Sequence, residues 1–393
     1  MAERSAIIFL PDDTQKTGEK KPLMLLNILG TPLLRWLTEN LFQRGVSRFF
    51  LAAAGPYSDA AAACFPKEAE LTVARDQDPA DLLHVFLSTA SEREAEVLAI
   101  TGPVVFAPSL AVRDPGRAPV PAAACMASRK GLMQALDDAA SIGRYLQKEA
   151  SACTDREGFY NVSSAVELPR WGHSLGQLQL AYLCSRGVEI WDFQSCYVAP
   201  GIPIGVGTTL LPGTILEGAC SIGFGCKIGP NTHLIDTVVG NRAVIDSSRA
   251  EGVKIGEDAM VGPFANLRPG TELGARVRAG AFVEMKNARL GEDVQTPHLS
   301  YLGDTQVGAR ANIGCGTVTA NFDRVQKYET QIGANAFVGC NTTLIAPVSV
   351  GDGAYIGAGS VVTEDVPDQA LGITRPRQLN RRDWAAKHKL PEE

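Results

Sequence analysis

Hydrophobic positions along the chain follow two different periods, and the change between them falls near residue 200. In the second half, an aliphatic residue recurs every six positions over long stretches. The residues in step are Ile204, Leu210, Leu216, Ile222, Ile228 and Leu234, then Ile255, Val261, Leu267 and Leu273, and finally Ile332, Val338, Leu344, Val350, Ile356 and Val362. Because helices repeat about every 3.6 residues and strands about every two, this spacing fits neither. It predicts a solenoid of hexapeptide repeats, in which each hexad supplies a short strand and a turn and buries its aliphatic side chain.

Glycine often follows the aliphatic residue of a hexad, as Gly256 follows Ile255. Because glycine adopts backbone angles that other residues avoid, we expect it to serve the turn of each hexad.

The first half alternates short apolar runs with segments of helical spacing, a pattern typical of a mostly parallel α/β sheet. We expect buried strands at Ala6–Leu10, Arg48–Ala53 and Val97–Phe106. We expect helices at Pro32–Leu41, Asp81–Thr89, Arg129–Leu146 and Ser174–Arg186. The sequence therefore predicts an α/β domain over 1–195, with a proline-rich loop at 107–124 and a helical linker at 174–187. A hexapeptide-repeat domain over 196–366 and a tail over 367–393 follow it.

Composition narrows the class of protein. A net charge of −6 and a pI near 5.6 argue against nucleic acid or an anionic membrane as a partner, since both favour basic surfaces. No apolar run approaches the roughly 18 residues that a spanning helix needs, and the first residues lack the pattern of a secretory signal. The nine cysteines include no CxxC pair. We therefore expect reduced thiols in a cytoplasmic protein, rather than a disulfide framework or a zinc site.

Stacking in a solenoid brings residues about 18 positions apart onto neighbouring coils, roughly 4.8 Å from each other. Arg268 and Lys286 have this separation, so two cations are expected to stack on one face. Two unpaired cations repel each other, and an anionic ligand such as a phosphate relieves that repulsion.

The hexad rhythm lapses at residues 298–323, which read HLSYLGDTQVGARANIGCGTVTANFD. A single His is more often structural than catalytic, but His298 has Glu284, Lys286, Tyr301 and several Asn within about one coil. Imidazole is the side chain best placed to take a proton at neutral pH, and a carboxylate such as Glu284 can fix its tautomer. The polar stretch 318–331 predicts a loop that leaves the coil, where binding residues usually lie, or else a solvated turn.

Four segments, in order and at matching spacing, carry a resemblance to a known family. They are GPFANLRPGTEL, GAFVEMKNARLGEDV, HLSYLGDTQVGARANIGCGTVTANFDRVQKYETQIG and FVGCNTTLIAPVSVGDGAYIGAGSVVTEDV. This part of the chain resembles the acetyltransferase domain of the bacterial bifunctional uridyltransferase/glucosamine-1-phosphate acetyltransferases. The resemblance is strong over about 250–376 and weaker back to about 175. It implies a left-handed parallel β-helix, a homotrimer and active sites between neighbouring subunits.

Matched position by position, the resemblance also implies roles for individual residues. His298 matches the general base, which deprotonates the sugar amine before that amine attacks the acetyl-CoA thioester, and Glu284 matches the residue that orients it. The positions that hold the sugar phosphate match Arg268, Lys286, Tyr301, Asn312 and Lys327. The positions around acetyl-CoA match Cys315, Asn321, Phe322, Cys340, Ala358 and Arg375. The stretch RRDWAAKHK resembles the tail that helps to close the site in this family; it also reads as a solvated basic terminus.

Three of these positions depart from the family. Phe322 stands where Tyr is typical, and Cys315 and Cys340 replace small residues such as Ala and Ser. These changes retune the expected acetyl-CoA pocket and leave the proposed base and phosphate ligands in place. A Cys near a thioester is chemically able to accept an acyl group, but we favour a small packing residue at both positions.

The first half lacks the motifs of the family's nucleotidyltransferase domain. That domain opens with a Gly-rich loop that binds nucleotide phosphates through backbone N–H groups, whereas residues 9–34 read FLPDDTQKTGEKKPLMLLNILGTPLL. Leu23 stands where the family has Lys, and no Asp follows Gly102. WGHSLG at 171–176 replaces the region of a metal-binding Asn, and the domain is short. We therefore interpret it as a degenerate Rossmann-like nucleotidyltransferase domain that has lost uridyltransferase activity and Mg²⁺ binding.

The preferred interpretation of the sequence is thus an acyltransferase that moves acetyl from acetyl-CoA, its cosubstrate, to glucosamine 1-phosphate. Its product, N-acetylglucosamine 1-phosphate, feeds UDP-N-acetylglucosamine, peptidoglycan and lipopolysaccharide synthesis in this family. Three alternatives stay open: another amino-sugar phosphate or nucleotide sugar as acceptor, a bifunctional enzyme that keeps uridyltransferase activity, and a non-catalytic scaffold that binds sugar phosphate or acetyl-CoA. The last has no evident need for both His298 and Glu284.

Overall fold

The structure, a computed structural model, describes residues 4–75, 79–90, 94–107, 123–137, 142–152 and 158–388. The chain forms two compact units. One comprises Met1–Pro203 with Leu216–Gly218, and the other comprises Ile204–Ile215 with Ala219–Glu393.

The first unit is built on a five-stranded sheet. In spatial order its strands are Glu70–Ala74, Val46–Ala53, Arg4–Leu10, Glu96–Ile100 and Ala124–Ser128. All neighbours are parallel except the last pair. Shorter strands lie at Asn27–Ile28, Thr31–Pro32, Val104–Phe106, Phe159–Asn161, Glu189–Ile190 and Tyr197–Val198. The parallel sheet that the alternating pattern predicts is thus present.

Helices cover both faces of this sheet. The α-helices are Thr14–Thr17, Leu33–Gln43, Ser58–Ala62, Pro79–Ser88, Arg129–Asp137, Ile142–Ala152 and Leu168–Ser185, with 3₁₀ turns at Leu23–Leu25, Gly55–Tyr57 and Ala165–Glu167. Because successive strand residues point to opposite faces, Ile8 and Phe49 join one buried cluster while Ile7 and Phe50 join the other.

Four expectations for this unit need correction. The strand expected at Val97–Phe106 is two strands, because Pro103 cannot donate to a ladder and Val104–Phe106 pairs with Phe159–Asn161 instead. In place of one helix over Arg129–Leu146, the structure describes the helices Arg129–Asp137 and Ile142–Ala152, and residues 138–141 lie outside the described residues. The helix expected at Ser174–Arg186 already begins at Leu168. Most of the loop expected at 107–124 lies outside the described residues, and Ala124 begins a strand.

The second unit is a ladder of short parallel strands that stack coil upon coil. The strands are Thr209–Leu210, Ile215–Glu217, Ser221–Ile222, Lys227–Ile228, His233–Ile235, Val238–Val239, Val244–Ile245, Arg249–Glu251, Lys254–Ile255, Met260–Val261, Asn266–Leu267, Glu272–Leu273, Arg278–Leu290, Gln295–Val307, Asn312–Ile313, Val318–Ala320, Thr330–Ile332, Phe337–Val338, Thr343–Ile345, Val348–Val350, Tyr355–Ile356, Val361–Val362 and Leu371–Gly372. A short helix, Trp384–Lys387, lies in the tail.

Register along this ladder follows the hexads. Thr209 pairs with Lys227 and Met260 with Arg278, each one coil further along the chain. Leu210, Leu267 and Leu344, which the six-residue period predicts to point inward, have no exposed surface. Ile204, at the start of the series, is only partly buried. The hexapeptide solenoid is therefore confirmed.

Glycines after the aliphatic residues mostly serve close packing between coils, so the expectation of unusual backbone angles is wrong for most of them. A Cβ on Gly256 would lie 2.5 Å from the carbonyl carbon of Gly274, in the next coil. The positive φ falls two residues later, at Asp258 (56°). Gly229 and Gly262 do have positive φ, and each precedes a proline.

Within the described residues, no helix is both long enough and apolar enough to cross a membrane.

Candidate active site

The strand register brings the expected phosphate-binding residues together on one face of the solenoid. Asn266 pairs with Glu284, and Leu267 pairs with Met285, so Arg268 lies beside Lys286 on neighbouring coils. The stacking that the 18-residue separation predicts is therefore present. We call this surface, with Glu284, Tyr301 and Val318 on successive coils, face 2.

Arg268 is not unpaired, contrary to the expectation from its spacing. Its guanidinium Nη1 donates to Oε1 of Glu284 at 3.1 Å, and both side chains are partly exposed. The charge of Arg268 is thus partly balanced within the chain. The cation of this stack that is crowded by like charges is Lys286.

Like charges around Lys286 lower the pKa of its ammonium group. The largest cause is Lys327, whose ammonium group lies close to that of Lys286 and repels it, and Arg268 adds a smaller repulsion. The carboxylate of Asp304 acts in the opposite direction. Three cations therefore converge on one point of face 2, although 59 residues separate Arg268 from Lys327. Such a cluster favours an anion.

Lys327 reaches this cluster because the chain leaves the coil after Ala320. Thr305 pairs with Thr330, an offset of 25 residues, whereas the preceding coils are offset by 17. The amide of Tyr328 donates to the carbonyl of Asn321 at 2.9 Å, which closes the base of the excursion. The predicted loop is confirmed, and it places Lys327 next to Lys286.

Asp323 holds this loop in shape. Its Oδ1 accepts hydrogen bonds from the amides of Gln326 and Val325 at 2.8 Å each, and these bonds lower the pKa of the carboxyl group. Its Oδ2 accepts from the Tyr328 hydroxyl at 3.0 Å. The loop is therefore an exposed turn that internal hydrogen bonds hold in one shape.

Asp304 is a residue of this site that sequence reasoning missed. Its Oδ1 accepts a hydrogen bond from the side-chain Nδ2 of Asn287 at 2.8 Å, and its Oδ2 accepts one from the side-chain Nδ2 of Asn321. It therefore links the cationic cluster to Asn321, one of the expected acetyl-CoA residues. The sequence held one indication of its role: Asp304 ends the segment YLGD, which lies on the coil next to Lys286.

Gly303 makes room for this arrangement. A Cβ there would lie 2.5 Å from the Tyr301 hydroxyl and 2.7 Å from Nδ2 of Asn321. Any other residue would push both side chains away from the strand. The ring of Tyr301 and the amide of Asn321, which is 7% exposed, thus meet over bare backbone.

The expected base and four acetyl-CoA residues fall in one column along the solenoid. Each of them lies between two strands whose residues pair in register with those of the next coil. The pairs on one side are Gln295 with Asn312, Asn312 with Phe337, and Phe337 with Tyr355. The pairs on the other side are Tyr301 with Val318, Val318 with Thr343, and Thr343 with Val361, so the residues between them share one corner of successive coils. The column, which we call the corner column, reads His298, Cys315, Cys340 and Ala358. Arg375 continues it, since its Cδ would lie 3.7 Å from a Cβ on Gly359.

Backbone hydrogen bonds tie the coils together at this corner. The amide of Gly316 donates to the carbonyl of Leu299, that of Asn341 to Cys315 at 2.7 Å, and that of Gly359 to Cys340 at 2.8 Å. His298 and Cys340 are exposed, and Cys315 is half-buried. The column is thus a stiff edge of small side chains with an imidazole at one end.

Two expected site residues lie apart from these groups, and one expected pairing is not made. His298 pairs in register with Ala281, and within the described residues no hydrogen bond or ion pair joins it to Glu284, which binds Arg268 instead. Asn312 lies on the adjacent face, in register with Gln295. Phe322 is 60% exposed in the loop. A single chain therefore brings together the cations and the corner column, but leaves Asn312 and Phe322 outside them.

The repeats match a known family. Residues 329–364 match the bacterial transferase hexapeptide family of six repeats. Residues 329–364 of the second unit are thus similar to the repeats of that transferase family. Together with the ladder of parallel strands, this match supports the left-handed parallel β-helix that the resemblance implied.

Curated relatives extend the resemblance beyond the repeats. The chain is 43% identical to the bifunctional protein GlmU of Carboxydothermus hydrogenoformans over 236 residues, which are 60% of this chain and 53% of that protein. It is 42% identical to GlmU of Micrococcus luteus over 245 residues (62% and 48%) and 47% identical to GlmU of Bacillus velezensis over 199 residues (51% and 44%). The chain spans about half the length of the relatives it matches. The resemblance to GlmU is confirmed over the matched residues, and the α/β fold of the first unit agrees with the nucleotidyltransferase-like fold that the resemblance implied.

A solved UDP-N-acetylglucosamine acyltransferase from Arabidopsis covers 48% of this chain and 70% of its own. With 16% identity and a TM-score of 0.31, this likeness adds nothing to the assignment.

Proposed function

We propose that the protein transfers acetyl from acetyl-CoA to the amine of glucosamine 1-phosphate, giving N-acetylglucosamine 1-phosphate. The observation that carries this proposal is the convergence of Arg268, Lys286 and Lys327 on face 2, which the strand register and the excursion loop bring together. A stable fold gains nothing from three converging cations unless an anion binds there. A sugar phosphate supplies that charge, and the relatives of the β-helix are GlmU proteins.

Each of the three cations makes a different contribution to the proposed phosphate binding. Arg268 presents a planar guanidinium that matches phosphate oxygens, while Lys286 and Lys327 act as point charges. Glu284 holds the guanidinium at 3.1 Å and so fixes its direction. Tyr301, paired with Glu284 in the register, completes the acceptor side within one chain, whereas Asn312 lies on the neighbouring face.

His298 takes the role of general base. The acceptor amine must lose a proton as its nitrogen bonds to the acetyl carbon, and His298 is an exposed imidazole at the corner next to face 2. The sulfur of coenzyme A then leaves with the bonding electrons and takes up a proton. In this scheme Glu284 acts on the acceptor side by holding Arg268, because the structure joins it to Arg268 and not to His298.

The corner column suits the cosubstrate. Cys315, Cys340 and Ala358 are small and point outward along one edge, so an extended chain such as the pantetheine arm of acetyl-CoA fits beside them. Arg375 at the far end carries a charge for the phosphates of the nucleotide part. Asn321 and Phe322, at the start of the loop, are the remaining residues expected around acetyl-CoA, and Asp304 accepts a hydrogen bond from the side-chain amide of Asn321.

The first unit is proposed to lack uridyltransferase activity. A cavity of about 490 Å³ lies at the carboxyl ends of its parallel strands, lined by Leu10, Ala53, Ala74, Arg75 and Thr101 among others. Within the part of the chain that the structure describes, no lining residue carries a carboxylate, the ligand that Mg²⁺ prefers. The described lining offers a guanidinium and a hydroxyl but none of these carboxylates, which supports the proposal.

A cytoplasmic homotrimer completes the proposal. A second subunit would supply the groups that one chain leaves apart, since Asn312 and Phe322 do not meet the cationic cluster within the chain.

Purified protein with acetyl-CoA tests the function, with the acetylated product identified by mass spectrometry. We expect product with glucosamine 1-phosphate and much less with glucosamine, which lacks the phosphate. Equal rates with both acceptors, or no product with either, would contradict the proposal. Faster transfer to another amino-sugar phosphate would identify that compound as the acceptor in place of glucosamine 1-phosphate. Pyrophosphate release from UTP with Mg²⁺ would contradict the loss of uridyltransferase activity.

A further inference from the structure

Two cysteines occupy successive positions of the corner column. Cys315 and Cys340 are 25 residues apart in sequence, but the register pairs Asn312 with Phe337 and Val318 with Thr343 on either side of them. The excursion loop accounts for the extra residues between them. Their side chains therefore belong to adjacent coils of one edge, directly above His298.

The backbone places these two residues on directly neighbouring coils. The amide of Asn341 donates to the carbonyl of Cys315 at 2.7 Å, and a Cβ on Gly314 would lie 2.6 Å from the nitrogen of Cys340. Neighbouring strands lie about 4.8 Å apart. This spacing falls within the range of about 4.4–6.8 Å that a disulfide needs between Cα atoms.

Accessibility singles out this pair. Cys340 is exposed and Cys315 is half-buried, and both are free thiols. The other cysteines that the structure describes are Cys64, Cys125, Cys196, Cys220 and Cys226, which are buried, and Cys184, which is exposed but whose pKa is raised by partial burial.

We propose that Cys315 and Cys340 form a dithiol site that reacts with a low-molecular-weight disulfide and closes reversibly to an intrachain disulfide. Cys340, the exposed thiol, attacks the small disulfide as a thiolate, forms a mixed disulfide and releases one small thiol. Cys315 then attacks the sulfur of Cys340 and releases the second. The two thiol protons of the protein end on the two released thiols, so one disulfide is reduced as one is formed.

The consequence for activity rests on the proposed function. A disulfide between these side chains would occupy the edge where acetyl-CoA is proposed to lie, one coil above His298. Oxidation would therefore exclude the cosubstrate, and reduction would readmit it.

Peptide mapping after treatment with oxidised glutathione tests the dithiol site independently of acetyl transfer. Trypsin cleaves after Arg310, Arg324 and Lys327, so the two cysteines fall in separate peptides, each with no other cysteine. We expect one disulfide-linked pair of peptides, 311–324 with 328–377, which dithiothreitol separates. Cross-linked chains on a non-reducing gel with no intrachain pair, or two unmodified thiols, would overturn the proposal.

Single variants identify the order of attack. Cys315→Ala should stop at a stable mixed disulfide with glutathione on Cys340, whereas Cys340→Ser should react slowly. Cys184→Ser, the matched control in the other unit, should behave as the wild type. Equal trapping of glutathione on both single variants would overturn the assignment of Cys340 as the first nucleophile.

Two further measurements connect the dithiol to the cosubstrate. Desulfo-CoA, which has no thiol, should slow formation of the disulfide, and the oxidised wild type should lose acetyl transfer until dithiothreitol restores it. A mapped disulfide with unaltered acetyl transfer would refute the regulatory consequence while leaving the dithiol in place. A protein without transferase activity that still forms the disulfide would refute the proposed function alone.

Discussion

Asp304 shows how single side chains organise the candidate site. It lies at a corner with positive φ (47°) and accepts hydrogen bonds from Asn287 and Asn321, while its charge supports the protonated form of Lys286. Its carboxylate thus acts on both the acceptor side and the cosubstrate side. Asn321 is nearly buried, so its amide depends on this partner.

Replacing Asp304 by Ala should lower kcat/KM by about 10- to 100-fold, because a buried amide loses a charged hydrogen-bond partner. Most of the loss should appear as a higher KM for acetyl-CoA, measured in initial-rate assays of acetyl transfer. Asp293→Ala removes another corner carboxylate, one paired with Arg276, and serves as the control. Equal effects of the two changes would show a general structural role instead.

Lys327 should control the pH dependence of acceptor binding through Lys286. Because the Lys327 charge lowers the pKa of Lys286, the wild type should lose affinity for the sugar phosphate at a lower alkaline pH than an ordinary lysine site. Lys327→Met removes that charge and raises the pKa of Lys286, so the alkaline loss should move to higher pH, although affinity at neutral pH falls. KM for the acceptor against pH measures this shift. Lys254→Met, where Lys254 pairs with Glu272, is the control, and an unmoved profile in Lys327→Met would contradict the coupling.

At the scale of the coil, glycine decides how closely neighbouring turns pack. The glycine after an inward aliphatic residue lies against the backbone of the next coil, so a methyl group there has no space. This differs from the strain that positive φ imposes at Asp258 two residues later.

Gly256→Ala should therefore lower the free energy of unfolding by about 1–3 kcal/mol or more, since its Cβ would lie 2.5 Å from two backbone atoms of Gly274. Thermal unfolding, compared with Gly55→Ala, measures the loss. Gly55 has open space around its Cβ position and ordinary φ, so its change should be nearly neutral. Equal midpoints for the two variants would contradict the packing argument.

The sequence predicted the solenoid because one inward position per hexad must be aliphatic, and Leu210 and Leu344 are accordingly buried. It also predicted the stacking of Arg268 on Lys286, which depends only on coil length. It could not predict the pairing of Arg268 with Glu284, because that depends on side-chain direction rather than on spacing. The link through Asp304 was missed for the same reason. The break at Pro103 was missed because both apolar runs beside it read as one strand.

At the scale of the whole molecule, the two units of the chain have different proposed roles in the reaction. The solenoid carries the cations and the corner column, whereas the cavity of the α/β unit shows apolar and small residues and Arg75, which pairs with Asp59 at 2.8 Å. The proposed site needs a second chain, since Asn312 and Phe322 lie apart from the cluster.

Native mass spectrometry should find a particle of three times the 41.8 kDa chain mass. Mixing inactive Lys286→Ala chains with inactive Asn312→Ala chains, after dissociation and reassembly, should restore part of the activity if the sites lie between subunits. A monomer with full activity would contradict the trimer.

The rate of acetyl transfer to glucosamine 1-phosphate in His298→Ala tests the central claim most directly. Loss of a general base should reduce kcat by about 10²- to 10⁴-fold, with the KM for the acceptor little changed because the cations of face 2 remain. His173→Ala, an exposed histidine of the first unit, should keep the wild-type rate. A His298→Ala enzyme that transfers acetyl as fast as the wild type would contradict the account.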